Sequence, residues 1–303
     1  MERVPGIDVS RWQGEVDWQK VKAAGYRFAF IRATIGDFYT DPRFYANWSG
    51  AQDADILVSA YHVVTPNESA ESQIAYFFDV LDGRVSDLPL VIDVERDDGA
   101  ELAEITQCIR DCLQVVRARD GRGPIIYTAR WCWNRYVLTS AEWQSYDLWT
   151  ASYTTDPVLP RDWSTWRFWQ YSARGQVSGI SASTDLNWFD GTYEDLLAYA
   201  GKDGEVPEIP KTGWRVRVTT SKLNIRNGPG TDFEDIGELY EGEVIDILIL
   251  SGEDVWVEFE PGKWAAVALK GERYLEPEPS ESAHKGSDTE QQIDGDSGSE
   301  CQG

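Results

Sequence analysis

Residues 88–95 read Leu88-Pro89-Leu90-Val91-Ile92-Asp93-Val94-Glu95. The run is apolar until it ends in two acids spaced two apart. A short stretch this rich in Leu, Val and Ile is the pattern of a strand buried on both faces of a parallel sheet. Side chains two apart on a strand share a face, so Asp93 and Glu95 point the same way, inward, at the strand's C-terminal end. Two carboxyls side by side there repel each other and resist desolvation, so one of them stays protonated near neutral pH. A protonated carboxyl is what a general acid requires.

Working outward, similar apolar runs occur at 6–9, 27–33, 56–63, 124–128, 147–153, 166–171 and 183–188. Amphipathic helix-like stretches lie between them at 16–24, 42–53, 69–81, 100–119 and 131–136. Eight strands alternating with helices predict a parallel sheet closed into a barrel. The connections 154–165 and 172–182 carry Pro, Gly and Ser and are too irregular for crossover helices. The expected class is therefore α/β, an irregular TIM-like β/α barrel that lacks helices after its later strands. In a closed barrel the first and last strands are neighbours. Asp8 in the first and Asp185 in the last then join Asp93 and Glu95 at one mouth. A lone acid at a strand end is commonly a cap. Four acids on three strands favour a site.

Composition narrows the chemistry. Among 303 residues, 28 are basic and 52 acidic, for a net charge of −24. Such a chain repels phosphate backbones, which argues against nucleic acid as a partner. No apolar run reaches the roughly 20 residues that span a bilayer, so membrane insertion is not expected. Residues 1–6 show no basic leader or apolar secretion core, so no signal peptide is expected, which fits either storage in a cytoplasm or export by another route. On that basis the Asn-x-Ser sites at Asn47 and Asn67 read as chance matches. Cys108, Cys112, Cys132 and Cys301 form no metal motif, and the only histidines are His62 and His284. That excludes zinc sites built on several histidines, and carboxylates are the abundant reactive groups.

The composition also divides the chain. Residues 1–200 form the barrel, and 201–213, with three Gly and two Pro, read as a linker. Residues 214–275 turn to short β-rich runs at 214–219, 223–226, 244–250, 255–259 and 263–268, the pattern of a small β-barrel. From 276 to 303 the chain is mostly Glu, Pro, Ser, Gly, Asp and Gln, with Ile293 as its one large aliphatic residue. That acidic tail cannot bury enough apolar area to order itself and is expected to be disordered.

The first 200 residues resemble glycoside hydrolase family 25, the Chalaropsis-type lysozymes. The resemblance is carried, in order, by Gly6-Ile7-Asp8-Val9-Ser10 with Trp12-Gln13-Gly14, Ala60-Tyr61-His62, Ile92-Asp93-Val94-Glu95, Leu148-Trp149-Thr150-Ala151-Ser152-Tyr153, Trp169-Gln170-Tyr171 and Asp185-Leu186-Asn187. It implies a retaining muramidase acting on peptidoglycan between N-acetylmuramic acid and N-acetylglucosamine, without a cofactor. Glu95 would protonate the leaving oxygen. Asp93 would orient the substrate's acetamido group or stabilise charge at the anomeric carbon, and Asp8 and Asp185 would complete the acidic mouth. Sugar faces stack on aromatics, so Tyr61, Trp149, Trp169 and Tyr171, near strand ends, are substrate-binding candidates. Core packing is the simpler role for most of the Trp residues in the barrel. His62 alternates away from Tyr61 and reads as structural.

Residues 214–275 resemble the bacterial Src-homology-3-like wall-binding domains through Leu223-Asn224-Ile225-Arg226, Gly228-Pro229-Gly230, Ile236-Gly237, Gly242-Glu243, Trp256 and Lys263-Trp264-Ala265. Trp264-Ala265-Ala266-Val267 departs from the more usual Gly-Trp-Val near the end. Together the two resemblances suggest a phage or prophage endolysin. A chitinase-like hydrolase and a non-catalytic wall-binding protein are the alternatives. Against the first stands Leu90-Val91-Ile92, where a longer acidic run usually precedes the Glu, and against the second stand the intact Asp93 and Glu95.

Overall fold

The computed structural model describes residues 3–202, 215–228, 230–231, 233–246, 249–251, 256–260, 263–269 and 272–277. Most of the expected linker, nearly all of the acidic tail and Cys301 lie outside the described residues.

Nine strands build the first sheet: β1 (Arg3–Val9), β2 (Phe28–Ile35), β3 (Tyr39–Thr40), β4 (Leu57–Val63), β5 (Val91–Asp93), β6 (Ile125–Ala129), β7 (Leu148–Ala151), β8 (Phe168–Gly175) and β9 (Thr184–Asp190). Eight of them close into a ring in the order β1-β2-β4-β5-β6-β7-β8-β9, with β3 as a hairpin appended to β2. Helices α1 (Trp18–Ala23), α2 (Phe44–Asp53), α3 (Ala70–Leu81), α4 (Leu102–Asp120) and α5 (Arg130–Tyr136) follow β1, β3, β4, β5 and β6, and none follows β7 or β8. A capping box or a side-chain cap starts several of them, as where Ser69 accepts from the Ser72 N–H ahead of α3.

The sheet is not wholly parallel, as the sequence had suggested. β9 runs antiparallel to both β8 and β1. Only residues 176–183 connect β8 to β9, too few for the crossover of a dozen or more residues that a parallel return needs. The reversal matters for the mouth, because it brings the first residues of β9 to the end where the other strands finish. Asp185 thereby lies directly opposite Asp8.

Strand β5 is also shorter than expected. Pro89 has no N–H to offer a ladder, and the regular pairing is confined to Val91–Asp93. Single hydrogen bonds continue on either side, from the Ile125 N–H to the Leu90 carbonyl and from the Val94 N–H to the Tyr127 carbonyl, both at 2.9 Å. Glu95 thus sits just past the strand, on the rim.

Alternation divides the core in two. Ile7, Val9, Ile31, Val58, Ala60, Ile92 and Ile126 face the helices. Inside the ring, Val4, Phe28, Leu57, Ile125, Phe168 and Phe189 fill the lower part. Gly6 leaves the space that Phe28 occupies, since a Cβ there would lie 2.3 Å from the Phe28 ring. A helix absent from the sequence reading, α6 (Tyr193–Tyr199), closes the bottom by adding Leu196 and Leu197 to this interior cluster. Thr192 and Asp195 form its capping box.

His62 is fully buried outside the ring. Its Nδ1 pairs with Thr34 Oγ1 at 2.7 Å and its Nε2 with Gln73 Oε1 at 3.0 Å, so both nitrogens are occupied. Burial lowers its pKa to about 4, which leaves a neutral structural residue. Cys108, Cys112 and Cys132 are free and buried. Asn47 is buried within α2, which closes that Asn-x-Ser site to modification in the folded protein.

The remaining described residues form short antiparallel strands with their own core. Strands β10 (Arg215–Val218), β11 (Lys222–Arg226), β12 (Asp235–Tyr240), β13 (Val244–Asp246), β14 (Ile249–Ser251), β15 (Trp256–Glu260) and β16 (Lys263–Ala266) enclose Val216, Val218, Leu223, Leu239, Trp256, Val257 and Trp264. Strand β12 lies outside the expected runs, because Gly237 interrupts a stretch in which only Leu239 is buried.

Candidate active site

The upper interior of the ring is polar. Asp8, Asp93, Tyr61, Gln170 and Asn187 are buried there, and Asp185 is half-buried beside them. Beneath them Trp149 stacks on Phe30 with ring centroids 4.2 Å apart and touches Tyr127 at 4.4 Å. Trp149 is therefore floor and is covered by the residues above it.

A chain of hydrogen bonds rises from this floor. Trp149 Nε1 donates to Asn187 Oδ1 at 2.8 Å, which turns the Asn187 amide nitrogen toward Asp8 Oδ2, also at 2.8 Å. The hydroxyls of Tyr127 and Tyr153 donate to Gln170 Oε1 at 3.1 and 2.7 Å. Gln170 Nε2 is thereby left to donate to the same Asp8 oxygen at 2.9 Å. Two amides thus hold Asp8 Oδ2 as an acceptor, and the other oxygen of Asp8 is free to bear a proton toward Asp185.

Electrostatics support that assignment. Burial, then the neighbouring Asp185 charge, push the Asp8 pKa well up, against the pull of the two amide donors. Burial raises Asp185 to about 6, although its hydrogen bond to Asp8 works the other way. These shifts favour one proton shared between the two carboxyls, with Asp8 holding it more firmly.

Asp93 faces the same space. Its Oδ1 is buried with no hydrogen-bond partner. Burial raises its pKa most, followed by the charges of Glu95 and Asp8, while Arg32 and Arg96 oppose the shift. Glu95 keeps solvent contact at the rim, yet its carboxyl sits in a concave site crowded by protein atoms. Desolvation raises its pKa as well, again moderated by Arg32 and Arg96. Arg32 is fixed by Asp41, with both its Nε and Nη2 2.8 Å from Asp41 Oδ2. Arg96 is paired with Asp98 at 2.6 Å. From Glu95 a groove of about 680 Å³ opens between Tyr127, Trp131 and Asn134 on one side and Ser152, Tyr153 and Val158 on the other.

The model of the glycosyl hydrolases family 25 matches residues 7–180, which is more than half of the chain. The chain belongs to glycosyl hydrolase family 25. Similarity to individual proteins agrees. The chain is 39% identical to lysozyme M1 of Streptomyces globisporus over 214 residues, 65% of this chain and 71% of that one. The crystal structure of the bacterial lysozyme from Streptomyces coelicolor superposes with a TM-score of 0.62 at 37% identity, covering 66% of this chain and 98% of that one. The muramidase of Acremonium alcalophilum superposes at 0.59 with 29% identity, covering 67% and 100%. This family 25 protein is a glycoside hydrolase of the lysozyme type.

In the family 25 enzyme the four acids named from sequence come together at one mouth, with Tyr61 beside them. The other aromatic candidates do not reach it. Gln170 faces inward on β8, so its neighbours Trp169 and Tyr171 face outward. Trp169 Nε1 donates to the Ser152 carbonyl at 2.7 Å and its ring lies 5.2 Å from the Arg3 guanidinium, while Tyr171 stacks on Trp188 at 5.0 Å. The aromatics that do line the groove are Tyr127, Trp131 and Tyr153. Gln170 and Asn187 stand in segments that carry the family resemblance but received no role there, and Arg32 was not singled out. Inward alternation with the neighbouring Asp185 could have given Asn187 its role, whereas nothing local gives one to Gln170 or Arg32.

The raised carboxyls set a pH dependence of stability. Asp8, Asp93, Glu95 and Asp185 bind protons more tightly in the folded chain than in the unfolded one, where carboxyls titrate near pH ~4. Above that value the folded protein holds extra protons, so stability falls as pH rises through the raised pKa values. His62, lowered to about 4, acts oppositely between about pH 4 and 6.5, but it is one group against four. The melting temperature should be higher at about pH 5 than at about pH 7.5. Asp8→Asn should narrow that gap. Calorimetry across this range checks both, and a melting temperature that rises toward pH 7.5 contradicts the account.

Proposed function

We propose that the protein cleaves peptidoglycan glycan strands at the β-1,4 bond between N-acetylmuramic acid and N-acetylglucosamine, with retention of configuration. The observation that carries this reading is the pairing of an unpartnered, buried Asp93 Oδ1 with Glu95 on the rim of an open groove. Glu95 gives its proton to the glycosidic oxygen as the bond from the anomeric carbon breaks. The acetamido oxygen attacks that carbon from the other side, and Asp93 Oδ1 accepts the acetamido N–H. Asp93 titrates high in the free enzyme, but an N–H donor and a developing positive charge both favour its ionised form. Glu95, now a carboxylate, takes a proton from the water that opens the intermediate and restores the configuration.

Glu95→Gln keeps the shape and removes the proton. Loss of general acid catalysis should lower peptidoglycan cleavage by about 10²–10⁴-fold. An aryl glycoside with a nitrophenolate leaving group needs little protonation, so Glu95→Gln should recover much of its rate there while Asp93→Asn should not. Mass spectrometry of digested peptidoglycan should show new muramic acid reducing ends. Glucosamine ends, or full lysis by a folded Glu95→Gln variant, contradict the proposal.

We further propose that residues 214–275 are a Src-homology-3-like domain that attaches the enzyme to the wall. Support comes from its antiparallel strands around a separate core. A chain ending at Lys202 should still cleave small soluble muropeptides, since the similar Streptomyces coelicolor chain matches the barrel along 98% of its length. Sedimentation with intact walls should drop, because a second attachment raises local substrate concentration. Unchanged sedimentation assigns wall binding to the barrel instead.

The pairing of a wall hydrolase with a second small domain also supports a phage or prophage endolysin, held in the host cytoplasm until lysis. Made in a bacterial cytoplasm, the enzyme should leave cells intact until the membrane is permeabilised and then clear the culture within minutes. Turbidity records the difference, and lysis without permeabilisation rules out this role.

A further inference from the structure

Exposed aromatic side chains are not scattered over the barrel. Trp12, Trp131, Phe38 and Tyr153 are 67%, 64%, 62% and 58% exposed, more than any other aromatic among the described residues. Each lies just past the mouth end of a strand: Trp12 after β1, Phe38 between β2 and β3, Trp131 after β6 and Tyr153 after β7. In the eight-membered ring β6 is four places from β1, and β7 is four places from β2. The two aromatic pairs therefore stand at opposite points of the rim with the acids between them.

Open aromatic faces bordered by polar groups fit a ligand that has both kinds of surface, and sugar rings do. The Arg11 guanidinium covers one face of Trp12 at 4.4 Å and leaves the other to solvent. Trp131 makes a T-shaped contact with Tyr136 and shares its wall of the groove with Asn134. Tyr153 anchors its hydroxyl on Gln170 and presents its ring from the facing wall. Tyr45, the other exposed aromatic of the barrel, lies on the outer helix α2.

We propose that these pairs are stacking platforms for one continuous glycan laid across the mouth, with Trp131 and Tyr153 receiving sugars on the leaving-group side and Trp12 and Phe38 receiving sugars on the opposite side. The orientation rests on Glu95 as proton donor, since Glu95 follows β5, the ring neighbour of β6, and lines the same groove as Trp131. The enzyme then grips a chain on both sides of the scissile bond, and the relative strength of the two grips decides which bond is cut.

A peptidoglycan hexasaccharide labelled at its reducing end tests this, because it offers one cleavable bond nearer each end. Fragments are sized by mass spectrometry for the wild type, Trp131→Ala, Trp12→Ala and Tyr45→Ala. Weakening the leaving-side platform should move cleavage toward the reducing end, and weakening the other should move it toward the non-reducing end. Each tryptophan variant should also lose roughly tenfold in kcat/KM. Tyr45→Ala should keep the wild-type pattern. A common loss of rate with no change of pattern, or shifts in the same direction, overturns the platforms. Exchanged directions overturn the orientation and with it the role of Glu95. A wild type that leaves the hexasaccharide intact overturns the muramidase reading itself.

Discussion

The acids of the mouth rest on an aromatic layer, and that layer imposes their chemistry. Phe30, Trp149 and Phe168 pack edge and face beneath the polar residues and exclude water from below. A carboxyl above such a layer loses hydration without gaining a cation in direct contact. Its neutral form is then favoured, as the raised Asp8 and Asp93 show. The one indole N–H in the layer is not wasted either. It fixes the direction of Asn187, and through Asn187 the direction from which Asp8 can be protonated.

Strand reversal does the rest. In a wholly parallel barrel the opening residue of the last strand would lie at the bottom, far from the ends of the others. Turning β9 around places Asp185 across from Asp8, and Asn187 follows two residues later on the same inner face. One topological departure thereby supplies two of the polar groups at the mouth. It also explains why the chain spends no helix between β8 and β9.

The eight strands of the ring and the first five helices were legible in sequence from their apolar runs and periods, whereas the two-residue β3 and the largely exposed β12 were not. The four acids were legible because charge at the end of an apolar strand is a costly choice that stands out. Strand direction was not, since an alternating run reads alike in both senses. The inner or outer sense of Trp169 and Tyr171 was missed for a related reason: aromatics are apolar enough for either side of a barrel wall, and only the burial of Gln170 between them decides it. Helix α6 escaped although Tyr193–Tyr199 is no shorter than α1 or α5, because its work, closing the interior at Leu196 and Leu197, depends on residues distant in sequence.

Helix α6 has one more consequence. The chain leaves it at Lys202, whose N–H bonds the Leu197 carbonyl and whose ammonium lies 2.8 Å from Asp87, ahead of β5. The exit is thus at the floor, the end remote from Asp93 and Glu95. Whatever is fused beyond Lys202 joins the catalytic body at its back. A change in that appendage therefore meets the barrel on the side away from the acids.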